Sequence, residues 1–242
     1  MNIFMHYITL FIISTGLASM EKKEDFLELS KKPTPLAISF DGSKYTKELP
    51  AIGMAPLGSA AITSSGALGE KGIKHIIHAA TGSMTKDGKM HSPSLESVKL
   101  SIKNSIRIAD HYKIKSVAFP FIGSGIFLSR MGVNKKGLAK SLLKAASSGN
   151  AKAVAVAYDD RDFKIFKKAY EELEETEKKK VEVLKGSITD FSLHKSPAII
   201  NAANTELVFG GGVSGFIGKA SGKSKEINQE CRSLIKALTK LN

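Results

Sequence analysis

The chain has 242 residues, room for one ordinary domain with extensions or at most two small ones. Its 36 Lys and Arg against 23 Asp and Glu give a formal net charge of +13, which favours anionic ligands. A single cysteine, Cys231, excludes an internal disulfide framework, and no Cys/His group has zinc spacing, so neither a metal nor a cofactor is expected.

In chain order, residues 1–18 read as an export signal. Ile8–Leu17 is an apolar run too short for a comfortable membrane span, and Gly16 and Ala18 stand at the small-residue spacing of a cleavage site, with the cut after Ala18. The preceding MNIFMHY carries no Lys or Arg, so an uncleaved N-terminal anchor or a merely apolar start is the alternative. The signal implies an exported protein, secreted or periplasmic, with delivery to a host cell as one destination. Residues 19–47 are polar, carry Lys31, Lys32, Pro33 and Pro35 and show no sustained period; they read as a linker or surface extension.

From residue 48 the elements alternate. Ile73–Ala79 reads as a strand, and Leu95–Ala109 repeats apolar residues at helix spacing through Leu95, Val98, Ile102, Ile106 and Ala109. Lys115–Pro120 is strand-like, Gly137–Ala146 helical, Ala151–Tyr158 an apolar strand and Phe163–Glu174 a helix. Glu171–Lys180 is a charged stretch, either a solvated helix end or a linker. Val181–Ile188 and Ala198–Asn201 are further strands, and Ser224–Leu241 is a helix with Ile227, Cys231, Leu234, Ile235 and Leu238 on one face, which makes Cys231 a core thiol. Such alternation argues for α/β architecture, a mostly parallel sheet covered by helices. His75 and His78 share a strand on opposite faces and are poor joint metal ligands.

The segment Ala198–Gly215, AIINAANTELVFGGGVSG, holds the strongest chemical signal. Gly210, Gly211 and Gly212 let the backbone approach a ligand closely, and the helix that begins at Val213 and Ser214 presents free N–H groups to a pyrophosphate. Three glycines alone are as readily a flexible turn. Asn201 and Asn204, at the C-terminal end of a strand where α/β ligands bind, shift the balance toward a site.

This stretch resembles the first ligand loop of macro domains, the ADP-ribose-binding α/β modules. Pro56–Thr63 (PLGSAAIT), Leu68 and HIIHA, then Phe119–Phe127 (FPFIGSGIF), are similar to the C-terminal half of that family, whereas Val181–Asn242, with GSIT, NAAN and GGGV, is similar to its N-terminal half. The resemblance implies one three-layer α/β/α domain over 48–242 with a mixed, mostly parallel sheet in circularly permuted order, 48–173 before 181–242, bridged by Glu174–Lys180. Domain termini that lie close together tolerate such a rearrangement. A monomer closed within one chain is expected; two half-domains swapped between chains are the alternative.

The resemblance also implies roles. Asn204, Gly211 and Phe127 would carry catalysis, Asn204 by bonding the distal ribose and Phe127 by packing against it. Ile122, Gly123, Ser124, Gly125 and Ile126 would form the second loop around the diphosphate, opposite Gly210–Ser214. Tyr158 and Ile188 would cover the two adenine faces, although a lone aromatic is as readily core packing. In two places the chain departs from the family pattern: Ser187 stands in GSIT where a carboxylate is common, and Ser214 follows GGGV where many hydrolytic members carry aspartate. The expected function is hydrolysis of mono-ADP-ribose from modified protein, with a non-catalytic ADP-ribose reader as the alternative. Nucleic-acid binding, suggested by the charge, is less expected: the lysines are scattered and no recognition motif stands out.

Overall fold

The fold is seen in a computed structural model, whose described residues are 11–13, 37–39, 54–84, 90–91, 93–125 and 127–239. The rest of the stretches read as an export signal and as a linker, residues 48–53, 85–89 and 92, Ile126 and residues 240–242 lie outside them.

The strands are β1 (Phe11–Ile13), β2 (Ala37–Ser39), β3 (Ala60–Ser64), β4 (His75–Met84), β5 (Met90–His91), β6 (Ser116–Phe119), β7 (Lys152–Ala157), β8 (Val181–Lys185) and β9 (Ala198–Asn204). Between them run α1 (Leu95–His111), α2 (Lys135–Ala146), α3 (Asp160–Glu171), the single turns α4 (Glu175–Lys178) and α5 (Phe191–His194), then α6 (Gly212–Ser221) and α7 (Ser224–Thr239). The sheet order is β1-β2-β3-β4-β9-β6-β7-β8, with β5 hairpinned on β4. From β4 to β8 every neighbouring pair is parallel, while β3 runs antiparallel to β4 and to β2. The sheet is therefore mixed and mostly parallel.

Alternate residues of the central strands feed two separate cores, as the two-residue period of a strand requires. Ile77, Val117, Phe119, Ala153, Ala155 and Ile200 face α1, α2 and α3. Their neighbours Ile76, Ala118, Val154 and Ile199 face the layer that holds Ile217 of α6 and Ile227 of α7. The result is three layers, α/β/α.

Local chemistry sets the helix ends. Ser94 accepts from the Ser97 amide at 3.0 Å and starts α1; Asn134 does the same for Gly137 at 2.8 Å in α2. Asp159 accepts from the Asp162 amide at 2.8 Å, so α3 starts ahead of the expected Phe163. The charged stretch resolves as the end of α3 followed by the separate turn α4, whose Glu174 and Glu177 form a reciprocal capping box. Lys136 and Lys140 reach Glu172 at 2.5 and 3.0 Å. Such exposed pairs are worth about 0–1 kcal/mol each and do not decide the fold.

Further differences from the sequence reading concern strands: Phe11–Ile13, inside the stretch read as an export signal, forms β1 and pairs in parallel with β2. Ala37–Ser39 lies in the stretch read as a linker yet forms β2, because Ala37-Ile38 is a short apolar run beside the open edge of β3. The last inner strand continues past Asn201 to Asn204, since its ladder to β4 persists to Gly82.

Candidate functional site

β9 leads into α6 on one face of the sheet and the neighbouring β6 leads, through the loop 120–134, into α2 on the other. Diverging connections at adjacent parallel strands open a crevice beyond their carboxyl ends, where open α/β sheets place ligands. The loops after β9 and β6 form its two walls.

On the β9 side, Gly210, Gly211 and Gly212 are exposed, and a Cβ placed on any of them would meet nothing within 4 Å. Space is therefore open on the side where their side chains would stand. Gly212 has φ +58°, the left-handed region that favours glycine, at the first residue of α6. Ser214 is buried, and its hydroxyl accepts from the Gly210 amide at 3.3 Å, so it braces the loop from within.

On the β6 side, Ile122 is buried, Gly123 takes φ +80°, and the Ser124 amide donates to the Phe121 carbonyl at 3.2 Å, which turns the chain back. Gly125 is exposed, with open space where its Cβ would be. The loop then carries Phe127 onto β4. A Cβ on Gly82 would lie 3.2 Å from Phe127 Cζ and 3.1 Å from Pro93 Cδ, so the ring rests on bare backbone. Gly82 is also the register partner of Asn204. This glycine seats Phe127 on β4 at the position in register with Asn204, and its signal in the sequence is a glycine inside a strand.

Asn204 Oδ1 accepts from the Val208 amide at 3.1 Å, and its carbonyl accepts from Leu207 N at 3.0 Å. Because an amide N–H needs an oxygen acceptor, this bond fixes the carboxamide with Oδ1 toward the chain and Nδ2 as the group offered to a ligand. Leu207 is buried at φ +57°, a strained conformation for leucine held by that turn and the surrounding core.

Asn201 does not join this rim. It is 0% exposed in mid-strand, with Nδ2 3.3 Å from His78 Nδ1, while His78 Nε2 lies 2.9 Å from Thr63 Oγ1. Three residues apart on a strand, the two asparagines project to opposite faces, which corrects the pairing read from NAAN. Burial lowers the His78 pKa to about 3 and keeps the ring neutral. Asn201 Oδ1 has no partner among the described residues.

A model of the Macro domain family matches residues 39–133. The chain is similar to a macro domain-containing protein of Caldanaerobacter subterraneus subsp. tengcongensis, 33% identical over 127 residues, half of this chain and 67% of that one. The chain belongs to the macro domain family. It is also similar to uncharacterized proteins of Pyrococcus horikoshii, 33% identical over 116 residues (45% of this chain, 57% of that one), and of Sulfolobus acidocaldarius, 25% identical over 119 (49% and 61%). The matches thus span 57% to 67% of these relatives' lengths.

Toward β7 and β8 the macro domain's rim holds the remaining candidates. Tyr158 directly follows β7 and is 82% exposed, so it packs in no core. Ile188 is only 5% exposed, buried with Ile199 and Ile217; its side chain belongs to the core layer rather than to an open platform. Ser187 Oγ lies 3.0 Å from Thr189 Oγ1 and accepts from the Thr189 amide at 3.3 Å. Val213 packs partly buried at the start of α6. Among the described residues no cluster of three or more His, Cys, Asp or Glu could hold a metal, and no helix is long and apolar enough to cross a membrane. Cys231 is buried against α7's core partners, and that burial pushes its thiol pKa up.

Proposed function

We propose that this macro domain binds ADP-ribose and hydrolyses mono-ADP-ribose from modified protein side chains. Macro domains generally bind ADP-ribose, and the observation that carries the reading is the crevice between β9 and β6. One wall offers glycines open to the outside at the N-terminus of α6; the other carries Phe127, seated on Gly82 beside Asn204. The Gly210–Gly212 backbone and the positive end of α6 suit a diphosphate. Asn204 Nδ2 donates to a hydroxyl of the distal ribose, and Phe127 bounds that ribose. Water held between phosphate and ribose attacks the anomeric carbon; its oxygen forms the new bond, the bond to the protein side chain breaks, and the leaving side chain takes up the proton. Positioning of this kind contributes several kcal/mol of barrier reduction, up to roughly 7–11 kcal/mol in the best-oriented cases.

A binding-only reader is favoured by one observation: Ser187 and Ser214 both engage their hydroxyls within the chain, on Thr189 and Gly210. Calorimetric titration with ADP-ribose, ADP and AMP, beside release of ADP-ribose from a mono-ADP-ribosylated protein, separates the readings. Preference for ADP-ribose with turnover that Asn204→Ala abolishes supports hydrolysis. Preference without turnover supports the reader, and no preference for ADP-ribose refutes both.

We further infer that 48–173 and 181–242 are the family's two halves in exchanged order, closed within a monomer. Two observations support this: β9 inserts between β4 and β6, and the family model matches 39–133 alone. Export, read from residues 1–18, belongs to the same proposal; N-terminal sequencing of the mature protein tests it.

A further inference from the structure

The glycine loop is held at its root by a side chain that no part of the reading above uses. Phe209 precedes Gly210, and its ring centroid lies 5.4 Å from that of His78, tilted by 52°. The same side chain also lies against α6 at Gly218, where a Cβ would stand 2.7 Å from Phe209 Cγ and 3.0 Å from its Cβ. The ring is thus held by both the sheet and bare helix backbone. Its amide donates to Asn228 Oδ1 of α7 at 2.9 Å, which adds a third point of attachment. One turn of α6 earlier, a Cβ on Gly215 would run into the Gly210 carbonyl oxygen, so the loop itself lies directly on the helix.

Beneath the ring, His78 is fixed in turn. Thr63 Oγ1 donates to the Ser64 carbonyl at 3.0 Å, so His78 Nε2–H donates to Thr63 and Nδ1 accepts from Asn201 Nδ2. Two of the three polar side chains come from the motifs HIIHA and NAAN, yet they point away from the crevice. Of the three, His78 is the one whose ring meets Phe209.

We propose that Phe209 is the positioning residue of the Gly210–Gly212 loop. Clamped by His78 and Gly218, its ring sets where the loop's amides point. Gly218 is glycine because the ring must lie against the helix; its backbone is otherwise helical, where alanine is favoured by about 1 kcal/mol. The atoms a Cβ would meet are the root of the Phe209 side chain, so the ring cannot swing aside without moving the backbone that leads into Gly210. The step from loop position to ligand affinity rests on the proposed ADP-ribose binding.

The test uses the full chain with Gly218→Ala, Phe209→Leu and the double variant. Two measurements are made on each: amide hydrogen exchange over 208–216 without ligand, and calorimetric titration with ADP-ribose. Each single variant is expected to speed exchange at Gly210 and Gly215 and to weaken ADP-ribose binding by about tenfold. Because both act through one ring, the double variant is expected to bind no more weakly than Phe209→Leu alone. Wild-type exchange at Gly210 and Gly215 in folded Gly218→Ala overturns the clamp, as does a lowered melting temperature with unchanged exchange and affinity. Should Gly218→Ala fail to fold, Phe209→Leu decides by the same two readouts. A wild-type protein that binds no ADP-ribose refutes the proposed function, while the exchange data still decide the clamp.

Discussion

Asn204 holds the loop with one end of its carboxamide and, in the proposed function, offers the other to ligand; two substitutions separate these duties. Asn204→Asp keeps an oxygen for the Val208 amide, now charge-assisted, but removes the Nδ2 donor. Asn204→Ala removes both. An orphaned buried amide costs about 1–3 kcal/mol; the Val208 bond is 3.1 Å and only part-buried, so the lower end, about 1 kcal/mol, applies. In a domain of this size that lowers the melting temperature by roughly 2–4 °C. The lost ribose bond is worth about 0.5–1.5 kcal/mol, roughly two- to tenfold in affinity, and a carboxylate beside a diphosphate adds repulsion. Asn204→Asp is therefore expected to melt with the wild type yet bind ADP-ribose at least tenfold more weakly, and Asn204→Ala to lose both stability and affinity. Thermal denaturation and calorimetry on the same preparations measure this. An Asn204→Asp protein that binds like the wild type, or an Asn204→Ala protein as stable as the wild type, would refute the assignment of the two amide atoms.

Three more outcomes are expected. His78 is wholly buried with its pKa lowered from 6.5 to about 3, so the folded protein keeps it neutral while the unfolded chain protonates below 6.5. Stability is then complete above that pH and declines as pH falls toward 3, by at most ~1.4 kcal/mol per unit for this group; urea midpoints against pH should flatten in His78→Gln, and an unchanged slope contradicts the claim. Gly82→Ala pushes Phe127 and Pro93 back by a few tenths of an ångström and should weaken ADP-ribose binding about three- to tenfold with little change in melting; unchanged affinity removes Phe127 from the site. Residues 1–173 and 181–242 expressed apart should each lack cooperative unfolding and regain it when mixed, because β9 lies between β4 and β6. A 1–173 fragment that unfolds cooperatively alone argues otherwise.

Much of this architecture was legible because helix and strand periods alternate so regularly. Leu95–Ala109 and Ala151–Tyr158 became α1 and β7 with ends shifted by one or two residues, and α1 starts where expected, at the Ser94 cap. Both glycine loops were legible as breaks after apolar strands, since glycine punctuates the ends of elements. What escaped was long-range. Gly82 matters through a ring that arrives from another loop, and Asn228 through an amide nineteen positions earlier in sequence. Asn201 was misplaced because two asparagines in one motif invited one role, although an odd spacing on a strand sends them to opposite faces. Ile188 followed a glycine and looked like a rim residue; the turn after β8 folds it inward instead.

The insertion of β9 also orders how this protein folds. Ile76 pairs with Ile199 and Val117 with Ala198, contacts that span much of the chain. Until residues 198–204 arrive, the β3–β4 hairpin and the β6-β7-β8 block have a one-strand gap between them and no backbone bonds to close it. Pairings this distant make for slow folding, because the loop must close before it is rewarded. Since β9 also leads into the glycine loop, the crevice forms in the step that joins the two blocks. A chain in which β9 has not yet paired lacks the glycine-loop wall of the crevice, and the slowest-exchanging amides should be those of β9 and its two neighbours.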